Sequence, residues 1–310
     1  MVGRIDDTHK SQQTAVLAAI VVGVAVIAVG VALQLARGPY GKPLDVTGVG
    51  ELDEIASKPI ATWITSTDAA TSVRDAVTAA DSRDSVALLV AYAIPGRDCG
   101  SYSAAAEDFS AAEYRDWVAS FVDGLGETKA VIVVEPDALA QLDCLSSSDR
   151  VERLSLLHDA VSTLAATGSW VYLDAGHSGW IPAAEMASRL DDAGVENARG
   201  FSLNVSNFRP TADETAYGTA ISEKLSSPAQ FVIDTSRNGA PIEAGTWCNP
   251  PGAALGAAPT TATGSQRVDA WLWVKTPGRS DGECNGGPKA GEWWNEYAEG
   301  LVRNASSAAN

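Results

Sequence analysis

Residues 131–145 read VIVVEPDALAQLDCL, an apolar run that breaks at Glu135 and Pro136, presents Asp137 and soon reaches Cys144. Residues 88–99, LLVAYAIPGRDC, follow the same plan, ending on a proline turn with Asp98 and Cys99. Runs without polar alternation are what strands look like when both faces are covered, as in a parallel sheet. A carboxylate just past such a strand stands where α/β folds place their chemistry, and two of them make an acid/base pair possible. Either aspartate alone also reads as a turn residue or helix N-cap.

Outward from these two stretches, strand-like runs near 60–65, 86–94, 130–135, 170–174, 200–205, 230–234 and 270–275 alternate with helix-like stretches. The helices are expected near 68–80, 111–125, 148–166, 182–193, 211–225 and 291–303. Strand and helix in alternation predict βαβ units and a parallel sheet. About seven strands are nearly enough to close a barrel, so the expected fold is α/β, a distorted, incomplete parallel β/α barrel. Residues 238–266 lack a helical period and are rich in Gly, Pro, Ala and Thr, the mark of a long functional loop.

Residues 15–36 are apolar except for Gln34, long enough to cross a hydrocarbon layer of about 30 Å as a helix. They are read as a transmembrane signal anchor, with a cleaved signal peptide as the alternative. The organisation is then a tail (1–14), the anchor (15–36), a linker (37–50), a catalytic domain (51–304) and a frayed tail (305–310). The net charge of −17 argues against nucleic acid as a partner but leaves a neutral polymer unhindered. Nine tryptophans suit the apolar faces of sugar rings, though each also suits a core. The four cysteines, Cys99, Cys144, Cys248 and Cys284, lack CxxC spacing, and the histidines lack zinc spacing. Two disulfides in an oxidising compartment are expected, and no metal. That compartment puts the domain outside the cytoplasm, on its anchor or secreted.

Polar residues collect at the strand ends: Tyr92 and Asp98, Asp137, Asp174 and His177, Asn204 and Asn207, Asp234 and Arg237, Lys275 and Asp281. A parallel barrel brings those ends to one rim. Cleavage of a glycosidic bond needs one protonated carboxyl and a second group to activate water, and adjacent cations such as Arg97 and Lys275 can separate the two roles.

The ordered segments LLVAYAIPGRDCG, VIVVEPDAL, VYLDAGHSGWI, GFSLNVSNF, FVIDTSRNG, WCNPPG and WLWVKTPG, then DG and CNGG, closely resemble glycoside hydrolase family 6. That family comprises inverting cellulases, endoglucanases and cellobiohydrolases, on a barrel of fewer than eight strands. The resemblance makes Asp137 the general acid, Asp98 the carboxylate that raises its pKa, Tyr92 a contact to the distorted sugar and Asp281 the proposed base. It makes Asp174, His177 and Lys275 cleft and sugar-binding residues and Trp63, Trp180 and Trp247 stacking platforms, and Asn204 at its strand end is expected to join the substrate-binding set. It pairs Cys99 with Cys144 and Cys248 with Cys284, and it implies a β-1,4-glucan substrate, a monomer and no cofactor. The loops from Asp234 to Trp247 and from Cys248 to Lys275 are shorter than those that roof the cleft in the family's cellobiohydrolases, which favours an open cleft and endo action.

The chain departs from the family pattern at Arg279 in PGRSDG, where a glutamate is common, and at Ala253, where an arginine is common. Arg279 is expected to lower the pKa of Asp281 and to alter glucose recognition. It motivates a rival reading, a membrane-tethered carbohydrate-binding protein with impaired catalysis. A serine hydrolase using Ser178 is disfavoured because AGHSGW lacks the GxSxG turn.

Overall fold

Apolar runs without alternation become seven parallel strands, because each buries one set of side chains inside a barrel and the other beneath helices. The computed structural model describes residues 38–100 and 109–308. The strands are β1 (Thr62–Ile64), β2 (Leu88–Ala91), β3 (Val131–Val134), β4 (Trp170–Asp174), β5 (Gly200–Leu203), β6 (Gln230–Asp234) and β7 (Val268–Leu272). They lie in chain order, each parallel to the next, with Ile132 in register with Leu89 on one side and Val171 on the other. The helices are α1 (Asp53–Ala56), α2 (Ala69–Ser82), α3 (Ala111–Leu125), α4 (Ser147–Ala165), α5 (Ala183–Asp192), α6 (Thr211–Ser222) and α7 (Asn295–Ala308).

Strand period separates two apolar layers. Leu88, Val90, Val131, Val133, Tyr172, Val232 and Leu272 fill the barrel, whereas Leu89, Ile132, Val134, Leu173, Phe201 and Phe231 pack outward with helical residues such as Val73, Phe121 and Leu157. Truncating Ile132 to Ala is worth about 2–5 kcal/mol in such a core. Gly200 starts β5 because a Cβ there would lie 1.7 Å from the Gln230 carbonyl oxygen of β6. Ser110 and Glu113 form a capping box at the start of α3, and Asp68 and Ser146 cap α2 and α4.

The barrel is incomplete, since β1 and β7 do not pair as strands. The Ala61 amide reaches the Trp273 carbonyl across the seam (3.0 Å), and the Trp63 indole reaches that of Val274 (2.9 Å).

The structure moves several expected boundaries. β7 ends at Leu272 rather than near 275, because the amides of Val274 and Lys275 turn to the Asp234 carboxylate (3.3 and 3.0 Å). α7 starts at Asn295 rather than near 291, since the amides of Gly291 and Trp294 are bonded to Ser280 and Gly278 in the loop after β7. The same helix runs on through residues expected to be a frayed tail. The expected linker is also part of the domain between 40 and 45. Tyr40 is buried in the barrel floor against the Tyr172 hydroxyl (3.2 Å), and Asp45 pairs with Arg83 (2.6 Å). The anchor expected at 15–36 lies outside the described residues; among those described, no helix is long and apolar enough to cross a membrane.

Candidate active site

The turn after β3 carries two acidic residues in left-handed backbone, Glu135 at φ +49° and Asp137 at φ +70°, on either side of Pro136. Such positions cost about 1–3 kcal/mol each and persist only where their surroundings over-determine them. Here the Asp137 amide donates to the Asp174 carboxylate (3.0 Å) and its carbonyl accepts from the Gln141 amide (2.9 Å). The Asp137 side chain lines a cleft of about 880 Å³ at the C-terminal ends of the strands. Glu135 is fully buried, and burial pushes its carboxyl up to about 7 against the amides of Ala93 and Ile94 and the Tyr114 hydroxyl.

Beside it, Tyr92 follows β2, edge-on to Trp63 with ring centroids 5.2 Å apart. The Arg97 guanidinium lies 4.7 Å from the Tyr92 ring centre and donates to its carbonyl (2.6 Å). Asp98 sits on the 3-10 turn Arg97–Gly100; its side chain is outside the described residues. Cys99 bonds to Cys144, and Cys248 to Cys284, the pairing that the resemblance implied.

The opposite wall comes from β6 and β7. Asp281 pairs with Arg237 (2.8 Å) and Lys275 (3.0 Å) and accepts the Asn249 amide (3.0 Å). Burial by itself would raise this carboxyl, but the two cations outweigh it and hold it at about 2. Burial depresses Lys275, and Arg237 depresses it further while Asp281 opposes both. Between the walls, His177 accepts the Gly179 amide on Nδ1 (3.2 Å), and burial together with Arg209 holds its imidazole at about 4. The ring is therefore neutral near pH 7, with its proton on Nε2. Trp180 and Trp247 are 39% and 47% exposed on the cleft surface, where an indole face can meet a ligand.

The cleft is lined by Tyr92, Trp63, Asp137, His177, Trp180, Trp247, Lys275 and Asp281, so eight expected site residues converge on it. Two others do not reach it. Asn204 is fully buried at φ +64°, its amide group spent on the carbonyls of Asp234 (2.8 Å) and Arg209 (3.3 Å) and on the Arg209 amide (3.0 Å). Those bonds brace the loop after β5. Asp174 lies beneath the floor, accepting from Asp137, Gly176 and Ser202, and burial pushes it up to about 7. The expectation for Arg279 also changes. It is exposed on the rim and donates to the Gly291 carbonyl (3.0 Å), and the depression of Asp281 comes from Arg237 and Lys275. Ala253 packs against Phe208 and Leu301 in a small apolar cluster.

Glu135, Arg237 and Asn249 were not among the expected site residues. Arg237 stood in the strand-end series, but nothing in its spacing ties it to Asp281. Glu135 carried a signal: an acid that closes an uninterrupted apolar run needs buried partners. Among the described residues, no group of three or more His, Cys, Asp or Glu side chains could hold a metal ion.

The family description Glycosyl hydrolases family 6 matches residues 41–305. The chain is 45% identical over 259 residues to Endoglucanase A of Cellulomonas fimi, covering 82% of this chain and 56% of that protein. It is 41% identical over 259 residues to Endoglucanase 1 of Streptomyces halstedii, covering 80% and 79%. The endoglucanase Cel6 from Mycobacterium tuberculosis, solved in complex with methyl-cellobiosyl-4-deoxy-4-thio-β-D-cellobioside, superposes with a TM-score of 0.81 at 44% identity, covering 86% of this chain and 98% of that one. The chain thus spans little more than half of the Cellulomonas fimi protein and nearly all of the Mycobacterium tuberculosis structure. On this match and these identities, the chain belongs to the glycosyl hydrolases of family 6.

Proposed function

We propose that this domain hydrolyses β-1,4-glucosidic bonds of cellulose or a related β-glucan within the chain, with inversion at the anomeric carbon. The observation that carries the reading is a single cleft with Asp137 on one wall and Asp281, paired with Arg237 and Lys275, on the other. The relatives named above as endoglucanases, and the thio-linked cellobioside bound to the Mycobacterium tuberculosis protein, support the substrate class.

In this scheme Asp137 gives its proton to the glycosidic oxygen as the bond to the anomeric carbon breaks. Asp98, on the neighbouring loop, raises the proton affinity of Asp137 by like-charge repulsion. Water attacks the opposite face. Asp281, held at about 2, is a weak base towards neutral water. It accepts a proton only as the new C–O bond makes that water acidic, and until then its charge favours the cation-like sugar. Neutral His177 offers Nε2–H to a sugar hydroxyl, and Trp180 and Trp247 offer stacking faces. Exposed indoles on an open rim suit an internal segment of a long chain.

We further read residues 15–36 as a membrane anchor, a reading supported by the disulfides, which call for an oxidising compartment. Fractionation of expressing cells with and without residues 1–36 tests it. The catalytic reading is tested by NMR of the first product from cellotetraose. The α anomer is expected, and Asp137→Ala is expected to lower kcat at least about a hundredfold. A β product, or no hydrolysis by the full chain, would overturn it.

A further inference from the structure

The loops after β2 and β3 are joined by Cys99–Cys144 at the surface, and they are joined again underneath. The Glu135 carboxylate reaches from the end of β3 to the two residues that follow Tyr92, accepting the amides of Ala93 (3.0 and 3.1 Å) and Ile94 (3.1 Å). Its third donor is the Tyr114 hydroxyl of α3 (3.0 Å). Arg153 of α4 is 3% exposed and grips the same loops by their carbonyls. It donates to Pro95 (2.7 Å) and Gly96 (3.0 Å) on the β2 loop and to Ala138 (3.2 Å) on the β3 loop. Neither side chain lines the cleft.

A buried arginine and a buried acid are an expensive way to fill a core, because apolar side chains of similar volume are commonly as stable or more so. What they add is direction. Together they hold N–H and C=O groups on both sides of the site at fixed positions, and the turn they hold is the one with left-handed Glu135 and Asp137.

We infer that Glu135 and Arg153 are positioning residues for the reaction, setting the placement of Asp137 relative to Tyr92 and Asp98 from beneath the cleft. The inference rests on the hydrolase reading above. Repulsion between nearby carboxylates falls steeply with distance, so a looser brace lowers the proton affinity of the acid as well as misaiming it. The charged and titratable residues around Asp137 are Arg97 and Asp98 on the β2 loop, Glu135 on its own turn, Asp174 and Arg153 below, the neutral His177, and Lys275 and Asp281 across the cleft.

Glu135→Gln keeps the shape but sets an NH2 group against converging donors, and Arg153→Lys keeps the charge but loses the two-loop fork. Each is compared with wild type in the full chain on cellotetraose and on 2,4-dinitrophenyl β-cellobioside, whose leaving group needs no proton. The expected result is a fall of about tenfold or more in kcat on cellotetraose with KM within about twofold, and a much smaller fall on the activated substrate. The basic limb of the kcat profile moves to lower pH, and amide hydrogen exchange at residues 93–96 becomes faster. Equal losses on both substrates with an unmoved limb would make the pair merely structural and overturn the inference, as would unchanged activity or unchanged exchange. Should a variant not fold, Tyr114→Phe removes only the third donor to Glu135 and must shift the substrate ratio and the limb in the same direction; no shift counts against the brace. Inactive wild type on both substrates would sink the hydrolase reading, and exchange at 93–96 would still decide the brace.

Discussion

On the wall built by β2 to β4, Glu135 and Asp174 are buried among amide and hydroxyl donors, and burial carries both carboxyls up to about 7. On the wall built by β6 and β7, Asp281 is also buried but stands between Arg237 and Lys275, which hold it at about 2. The depth is similar and the outcome opposite. Neutral dipoles do not fully replace the water lost by a carboxylate, whereas full cations more than replace it. One wall therefore holds carboxyls of raised proton affinity beneath Asp137, and the other keeps Asp281 ionised down to about pH 2.

The sharpest way to break this contrast is to neutralise one carboxylate on each wall. Asp281→Asn leaves Arg237 and Lys275 buried without their counter-charge and is expected to cost about 3–5 kcal/mol in denaturant unfolding. Asp174→Asn turns an amide against three donors but strands no cation, and about 1–3 kcal/mol is expected. Equal losses would show that the cations on the second wall do not matter to the balance.

A smaller effect is expected from pH. Glu135, Asp174 and Glu214 each rise to about 7 from the ordinary carboxylate value of about 4, so between about pH 4 and 7 the unfolded chain releases protons that the folded chain keeps. Stability falls across that window. His177, held at about 4, works the other way, one group against three. Asp281 contributes stability that is present above about 4 and lost as pH drops through about 2. The thermal midpoint is expected to peak near about pH 4–5 and to be lower by roughly 5 °C at pH 8. A midpoint that climbs steadily to pH 8 would contradict the burial of protonated carboxyls on the first wall.

The smallest structural effect belongs to the cleft surface. Trp247, 47% exposed, contributes little to the core. Trp247→Ala is expected to leave stability within about 0.5 kcal/mol while raising KM for cello-oligosaccharides several-fold. A loss of stability comparable with that of Asp281→Asn would show that the tryptophan is packing and not a platform.

Much of this architecture can be read along the chain. LLVA and VIVV are unbroken because helices cover one face of each strand and the barrel interior covers the other, and that double burial is visible as composition. The acidic residues after those strands are visible for the same reason, since an apolar run makes the first polar residue conspicuous. Their direction is not visible. Asp137 faces the cleft from the turn after β3, whereas Asp174, the last residue of β4, lies under it. The turn that directs Asp137 uses left-handed backbone at Glu135 and Asp137, where strand alternation no longer applies. Tyr40 was hidden in a stretch with linker-like glycine and proline, because a single aromatic ring in a barrel floor leaves no periodic trace.

The sequence by itself determined the alternating α/β plan, the strand count, the even set of cysteines and the acidic residues at the rim, all of which follow from local hydrophobicity and residue type. Only the tertiary structure decided which carboxylates are charged. Ionisation depends on burial and on partners brought from distant strands, such as Arg237 and Lys275 at Asp281 or the Ala93 and Ile94 amides at Glu135, and no spacing along the chain encodes those meetings.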